Sequence, residues 1–75
     1  MDNKIKSRTT GREYYIDRSV RIINPLQIAS YLEAGVTLLD VYPGKDAKSG
    51  RPIIVGIFDR KESFPAYQKW CNHEL

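Results

Sequence analysis

Seventy-five residues with a single cysteine exclude a multidomain protein and a disulfide-stapled scaffold. A hydrophobic content of 41% argues against wholesale disorder, and no apolar run approaches the ~18 residues that would span a bilayer. The net charge of +3 sits entirely in residues 1–23, where six basic side chains meet three acidic ones, whereas residues 24–75 are balanced.

Residues 1–12 are polar, lack hydrophobic periodicity and end in the breaker-rich run Ser7-Arg8-Thr9-Thr10-Gly11-Arg12. They are expected to form a flexible basic N-terminal arm, followed by a single α+β domain over 13–75. Met1 is followed by Asp2, Asn3 and Lys4 with no apolar segment behind them, so a cytoplasmic protein in a reducing compartment is expected. From Glu13 the pattern turns aromatic and β-branched. Tyr14-Tyr15-Ile16 and Val20-Arg21-Ile22-Ile23 suit strand, interrupted by Asp17-Arg18-Ser19.

Asn24 and Pro25 then mark a helix start. The Asn side chain can cap the first turn, and a proline at the first helical position loses nothing by lacking an N–H. Leu26, Ala29 and Leu32 fall on one face, with Ile28 and Tyr31 flanking it. Gly35 supplies the left-handed stop, so the helix is predicted over 25–34. Val36 to Tyr42 reads as a strand whose alternation slips at Leu38-Leu39, which implies a bulge or burial on both faces. A polar loop over 43–51 leads to the apolar run 53–58, an interior strand paired antiparallel to the one before it. Gly56 in that strand permits close backbone approach. Asp59 to Glu62 reads as a turn, with Ser63 capping a last helix. Its apolar stripe would be Phe64, Tyr67, Trp70 and Cys71.

The expected architecture is β-α-β-β-α: a three-stranded mixed sheet with two helices on one face. That arrangement leaves the reverse face without cover, although residues 53–58 are apolar almost throughout. Exposed apolar area of this kind usually marks an interface.

Chemistry is sparse. Asp40, Asp46, Asp59 and Glu62 form no pair that can be placed around a substrate, and Asp59 and Glu62 suit turn and capping roles. His73 lies near the C-terminus with no orienting partner in view. One cysteine and one histidine fall short of the four ligands of a structural zinc site, and Cys71 reads as a small core residue. No phosphate-binding loop is present. No catalytic residue, metal or cofactor is therefore expected. The candidates for partner binding are Lys4, Lys6, Arg8 and Arg12 of the arm, then Tyr14, Tyr15, Arg18 and Arg21, and Lys45, Lys48 and Arg51 of the 43–51 loop. Basic side chains interleaved with aromatics can hold single-stranded nucleic acid.

The segment from about Val20 to Trp70 carries Gln-Ile-Ala-Ser-Tyr-Leu, Ala-Gly-Val, Leu-Leu-Asp-Val, Ile-Val-Gly-Ile-Phe and Asp-Arg-Lys-Glu-Ser in order. It resembles a group of small proteins of phages, prophages and integrative elements in Gram-positive bacteria. The group has no settled activity, so no functional residue transfers. The resemblance implies a mobile-element protein that acts by binding a host factor, defence proteins included. Three expectations follow. The first is a non-enzymatic protein-interaction module that inhibits or modulates a host protein. The second is a small nucleic-acid-binding accessory protein using the basic arm. The third is a homodimer joined through the sheet. No membrane partner is expected.

Overall fold

The structure, a computed structural model, describes residues 4–75. In chain order it contains β1 (Lys4–Lys6), β2 (Glu13–Tyr15), a 3-10 turn (Ile16–Arg18), β3 (Ser19–Ile22), α1 (Pro25–Glu33), β4 (Leu38–Lys45), β5 (Pro52–Asp59) and α2 (Arg60–Cys71). The α+β class and the two helices are as expected. There are two sheets, however: a β1–β2 hairpin and a three-stranded sheet of order β3-β5-β4. The larger sheet is not mixed. β5 pairs antiparallel with both neighbours, because α1 carries the chain from β3 across β5 to β4. β3 and β4 thus run the same way without touching as strands.

One side of this sheet carries both helices. Ile28 and Tyr31 of α1, Val36, Phe58 of β5 and Ala66 of α2 are buried together, with Val20, Ile22, Leu38 and Trp70 packed around them. Phe58 meets Tyr31 edge-to-face at 5.2 Å between ring centres. Gly56 has the role its position suggested: a Cβ there would come within 3.1 Å of the Ile28 side chain, so its absence lets α1 sit against β5.

The helix ends follow local chemistry. The Asn24 side chain accepts from the amides of Leu26 (2.9 Å) and Gln27 (3.3 Å). Gly35, at φ +87°, lets the Val36 amide reach back to the Tyr31 carbonyl. The rotation of α1 about its axis differs from expectation. Ile28 and Tyr31 point inward, whereas Leu26, Ala29 and Leu32 face out, Leu26 with 71% of its surface exposed. Apolar residues lie on both faces of this helix, and the notch above Gly56 selects the face.

α2 begins four residues earlier than expected. β5 runs straight into it, and Asp59, the last extended residue, caps it by accepting from the Glu62 amide at 2.9 Å. Ser63 is therefore not the cap. It lies buried on the inner face with Ala66, where small side chains let the helix approach. Phe64, Tyr67 and Cys71 consequently face outward. Glu62 ties the helix to the end of the α1–β4 connection by accepting from the Thr37 amide at 2.7 Å.

The slip at Leu38-Leu39 is a bulge in the β4–β5 register. It sends Leu38 to the helix side and Leu39 to the reverse side, so both are half-buried in different clusters. The reverse side is not open. Val55 and Ile57 are buried there under Tyr14 of β2, with Leu39 and Ile53 at the margin. The expectation of an uncovered apolar face is overturned, and so is that of a flexible arm for residues 4–12. Lys4–Lys6 pair with β2 and the turn after them bonds to β4, because that face offered apolar area and a carboxylate to bind. Residues 1–3 of the expected arm lie outside the described residues.

Candidate interaction surfaces

Asp40 is the point at which the N-terminal hairpin is fastened. The bulge turns its side chain to the reverse face opposite Ile57, where it is buried. Ser7 Oγ donates to Oδ1 at 2.6 Å, Tyr14 Oη donates to Oδ2 at 2.7 Å, and the Val41 amide donates to Oδ1 at 2.8 Å. Burial alone pushes the Asp40 carboxyl up. The two hydroxyls and the amide outweigh it and hold the carboxyl below its ordinary value. Burial, then the hydrogen bond to Asp40 and its negative charge, push the Tyr14 phenol from 10.0 up to about 12. No described buried side-chain polar atom lacks a partner. The cluster is a clamp that fastens the hairpin to the sheet.

The turn that carries Ser7 also covers the outer edge of β4. Thr9 Oγ1 donates to the Val41 carbonyl (2.8 Å), Thr10 Oγ1 to Leu39 (2.6 Å) and the Arg12 guanidinium to Leu38 (3.0 Å). Side chains thus occupy the carbonyls that an edge strand otherwise offers to another chain.

The loop joining β4 to β5 repeats the geometry of this turn. Ser7 N–H donates to the Arg12 carbonyl and Gly11 N–H to Ser7; likewise Asp46 N–H donates to Arg51 and Gly50 N–H to Asp46. The first side chain of each turn, Ser7 or Asp46, accepts from the amides two and three residues on. The Thr10 and Ser49 hydroxyls accept from the Arg12 and Arg51 amides. Gly11 and Gly50 hold φ of +76° and +71°. The shared pattern is Ser/Asp-x-x-Ser/Thr-Gly-Arg. The second turn differs in that no hydrogen bond connects its side chains to another strand among the described residues.

The predicted contact residues are not brought to one place. Tyr14 is buried and structural, which removes it as a contact residue: its phenol is the second donor to Asp40. Arg12 is engaged with β4. Lys4 pairs with Glu13 at 3.3 Å and lies 6.0 Å from the Tyr15 ring, while Arg18 stacks over the same ring at 4.9 Å. Lys6 and Arg8 are exposed on β1 and the first turn, and Arg21 is exposed on β3. Lys45, Lys48 and Arg51 are exposed at the other end of the sheet. β3 spans only the Gly56–Asp59 half of β5, so the loop begins four residues, about 13 Å, beyond it.

A surface that the sequence pattern did not single out lies beside β3. This strand pairs with β5 alone, so its outer edge carries backbone groups with no strand partner. Next to it, between α1 and α2, runs a groove of about 270 Å³ whose lining is mostly apolar, from Val20, Ile22, Tyr31, Phe64 and Tyr67, and includes Arg60. Phe64 and Tyr67 are stacked at 6.3 Å and half exposed. The Arg60 guanidinium reaches the Ser19 carbonyl at 3.4 Å. The usable signal was Phe64 and Tyr67 three residues apart, which suited a core stripe equally well.

No family model, curated protein or solved structure matches the chain. Among the described residues, no three histidine, cysteine or acidic side chains are grouped to hold a metal. No described helix is long and apolar enough to cross a membrane.

Proposed function

We propose that this chain is a non-enzymatic protein-interaction module whose contact surface is the outer edge of β3 and the adjoining groove. The observation that carries this reading is a coincidence in space. Unpaired strand backbone, the exposed rings of Phe64 and Tyr67, and the Arg60 guanidinium occur together there. Strand edges beside apolar pockets are a recurrent mode of protein recognition. The resemblance to mobile-element proteins suggests that the partner is a host protein that the module inhibits or modulates.

The nucleic-acid alternative draws on the basic residues, but Lys4, Arg12 and Arg18 are already engaged within the chain and the 45–51 group lies at the far end. A photo-crosslinking residue placed at Phe64, with Thr9 as the control on the covered edge, tests the proposal in a Gram-positive lysate. A discrete protein adduct from position 64 alone, retained at high salt, is expected. Adducts with DNA or RNA that vanish steeply with salt would favour the alternative, and equal labelling from both positions would remove the β3 surface.

A further inference from the structure

Accepting that the β3 edge is the contact surface, we infer that its occupant is an extended segment of a partner protein that adds to the sheet as a fourth strand, with an apolar–acidic–apolar pattern at three successive positions.

The alternation of β3 sets this pattern. Val20 and Ile22 face the helices, opposite Phe58 and Gly56, while Arg21 faces the reverse side opposite Ile57. A strand laid along the outer edge repeats that alternation, because directly opposite residues share a face. Its two helix-side residues therefore lie against Val20 and Ile22 and enter the groove roofed by Phe64 and Tyr67. The residue between them emerges beside Arg21, which is exposed. A carboxylate at that position completes a cross-strand ion pair with Arg21, whereas the strand's start is mixed in charge, with Asp17 and Asp59 beside Arg18 and Arg60. Arg21 also disfavours a second copy as occupant. Antiparallel pairing of β3 with itself about its centre sets the two Arg21 side chains against each other on the reverse face. A basic segment meets Arg21 with like charge, and a polyanion lacks the paired apolar side chains that the groove accepts.

A displayed library of random 12-residue peptides, selected against the full chain, tests this. Enrichment of the apolar–acidic–apolar pattern is expected, with amide shifts at Val20, Arg21 and Ile22 on addition of the synthetic winner. N-methylation of that peptide should abolish binding at alternate residues and spare those between, the signature of strand addition. Arg21→Glu, an exposed substitution that leaves the core untouched, should weaken the winner at least tenfold and shift reselection to Lys or Arg at the middle position. Peptides that perturb Phe64 and Tyr67 yet tolerate N-methylation throughout would overturn strand addition while leaving the contact surface in place. Winners that perturb only other surfaces would overturn both. An empty selection, tighter binding of a single-stranded oligonucleotide to the same edge, or a dimer joined through β3 by light scattering would each overturn the proposed occupant.

Discussion

Two turns of the same internal design hold opposite positions in this protein. Ser7–Arg12 and Asp46–Arg51 share their backbone hydrogen bonds, their side-chain caps and a left-handed glycine. The first lies on β4 and fastens the hairpin through Ser7 to a buried carboxylate; the second projects beyond the sheet. The difference shows that hydrogen bonds within a turn decide its shape, whereas its contribution to the domain depends on what its side chains reach.

Paired substitutions sharpen this contrast, and the largest effect belongs to the first residue of each turn. Ser7→Ala removes a charge-assisted bond to Asp40, leaving Oδ1 with the Val41 amide alone, together with both amide caps of its turn, and is expected to cost about 2–3 kcal/mol. Asp46→Ala removes only two amide caps in an exposed loop, at about 1 kcal/mol or less. Urea unfolding of both variants measures the gap, and equal losses would break the comparison.

The pH dependence should follow the same clamp. The folded Asp40 carboxyl sits below its ordinary value, so its stabilisation is present at neutral pH and is lost as pH falls below about 4, where the unfolded chain binds the proton first. The Tyr14 phenol is raised from 10.0 to about 12, so its contribution is complete below pH 10 and drains away between 10 and 12. The alkaline loss is on the order of 2 kcal/mol. Tyr14→Phe should flatten the alkaline limb, whereas Asp46→Ala should leave its slope unchanged.

Gly11→Ala and Gly50→Ala supply the matched control. Both glycines have positive φ and open space where a Cβ would go, so the cost is backbone strain alone. It should be about 1 kcal/mol at each position. Arg12→Ala should be the smallest measurable effect, roughly 0.5 kcal/mol for an exposed bond to the Leu38 carbonyl, and Arg51→Ala should be silent. Added to Thr9→Ala and Thr10→Ala, it bares the β4 edge. Light scattering should then report self-association that the Asp46–Arg51 counterparts do not cause.

Much of the covered core was legible because it depends on local signals. Asn24-Pro25 and Gly35 bracket α1, Gly56 marks the close approach of helix and strand, and the Leu38-Leu39 slip marks the bulge. The faces of the helices were not legible. Leu26 and Ile28 are equally apolar, and in α2 the larger Phe64 outweighs Ala66 in any apolar count although the small side chain is the one that fits against the sheet. The clamp left one trace: Asp40 interrupts an apolar strand, and a carboxylate in such a place needs donors. The donors are 33 and 26 residues away along the chain. The β3 groove left less, since the same two aromatic residues describe a core stripe or an exposed roof.

The amino-acid sequence by itself determined the limits of α1 and the hairpin of β4 and β5, because both are set by a cap, a glycine and side-chain alternation within a few residues. Tertiary structure alone decided that residues 4–15 fold back across the sheet and that one edge is covered while the other is left open. Those outcomes depend on distant hydroxyls finding a buried carboxylate and on which helix face fits above Gly56, and both are packing choices that no local pattern encodes.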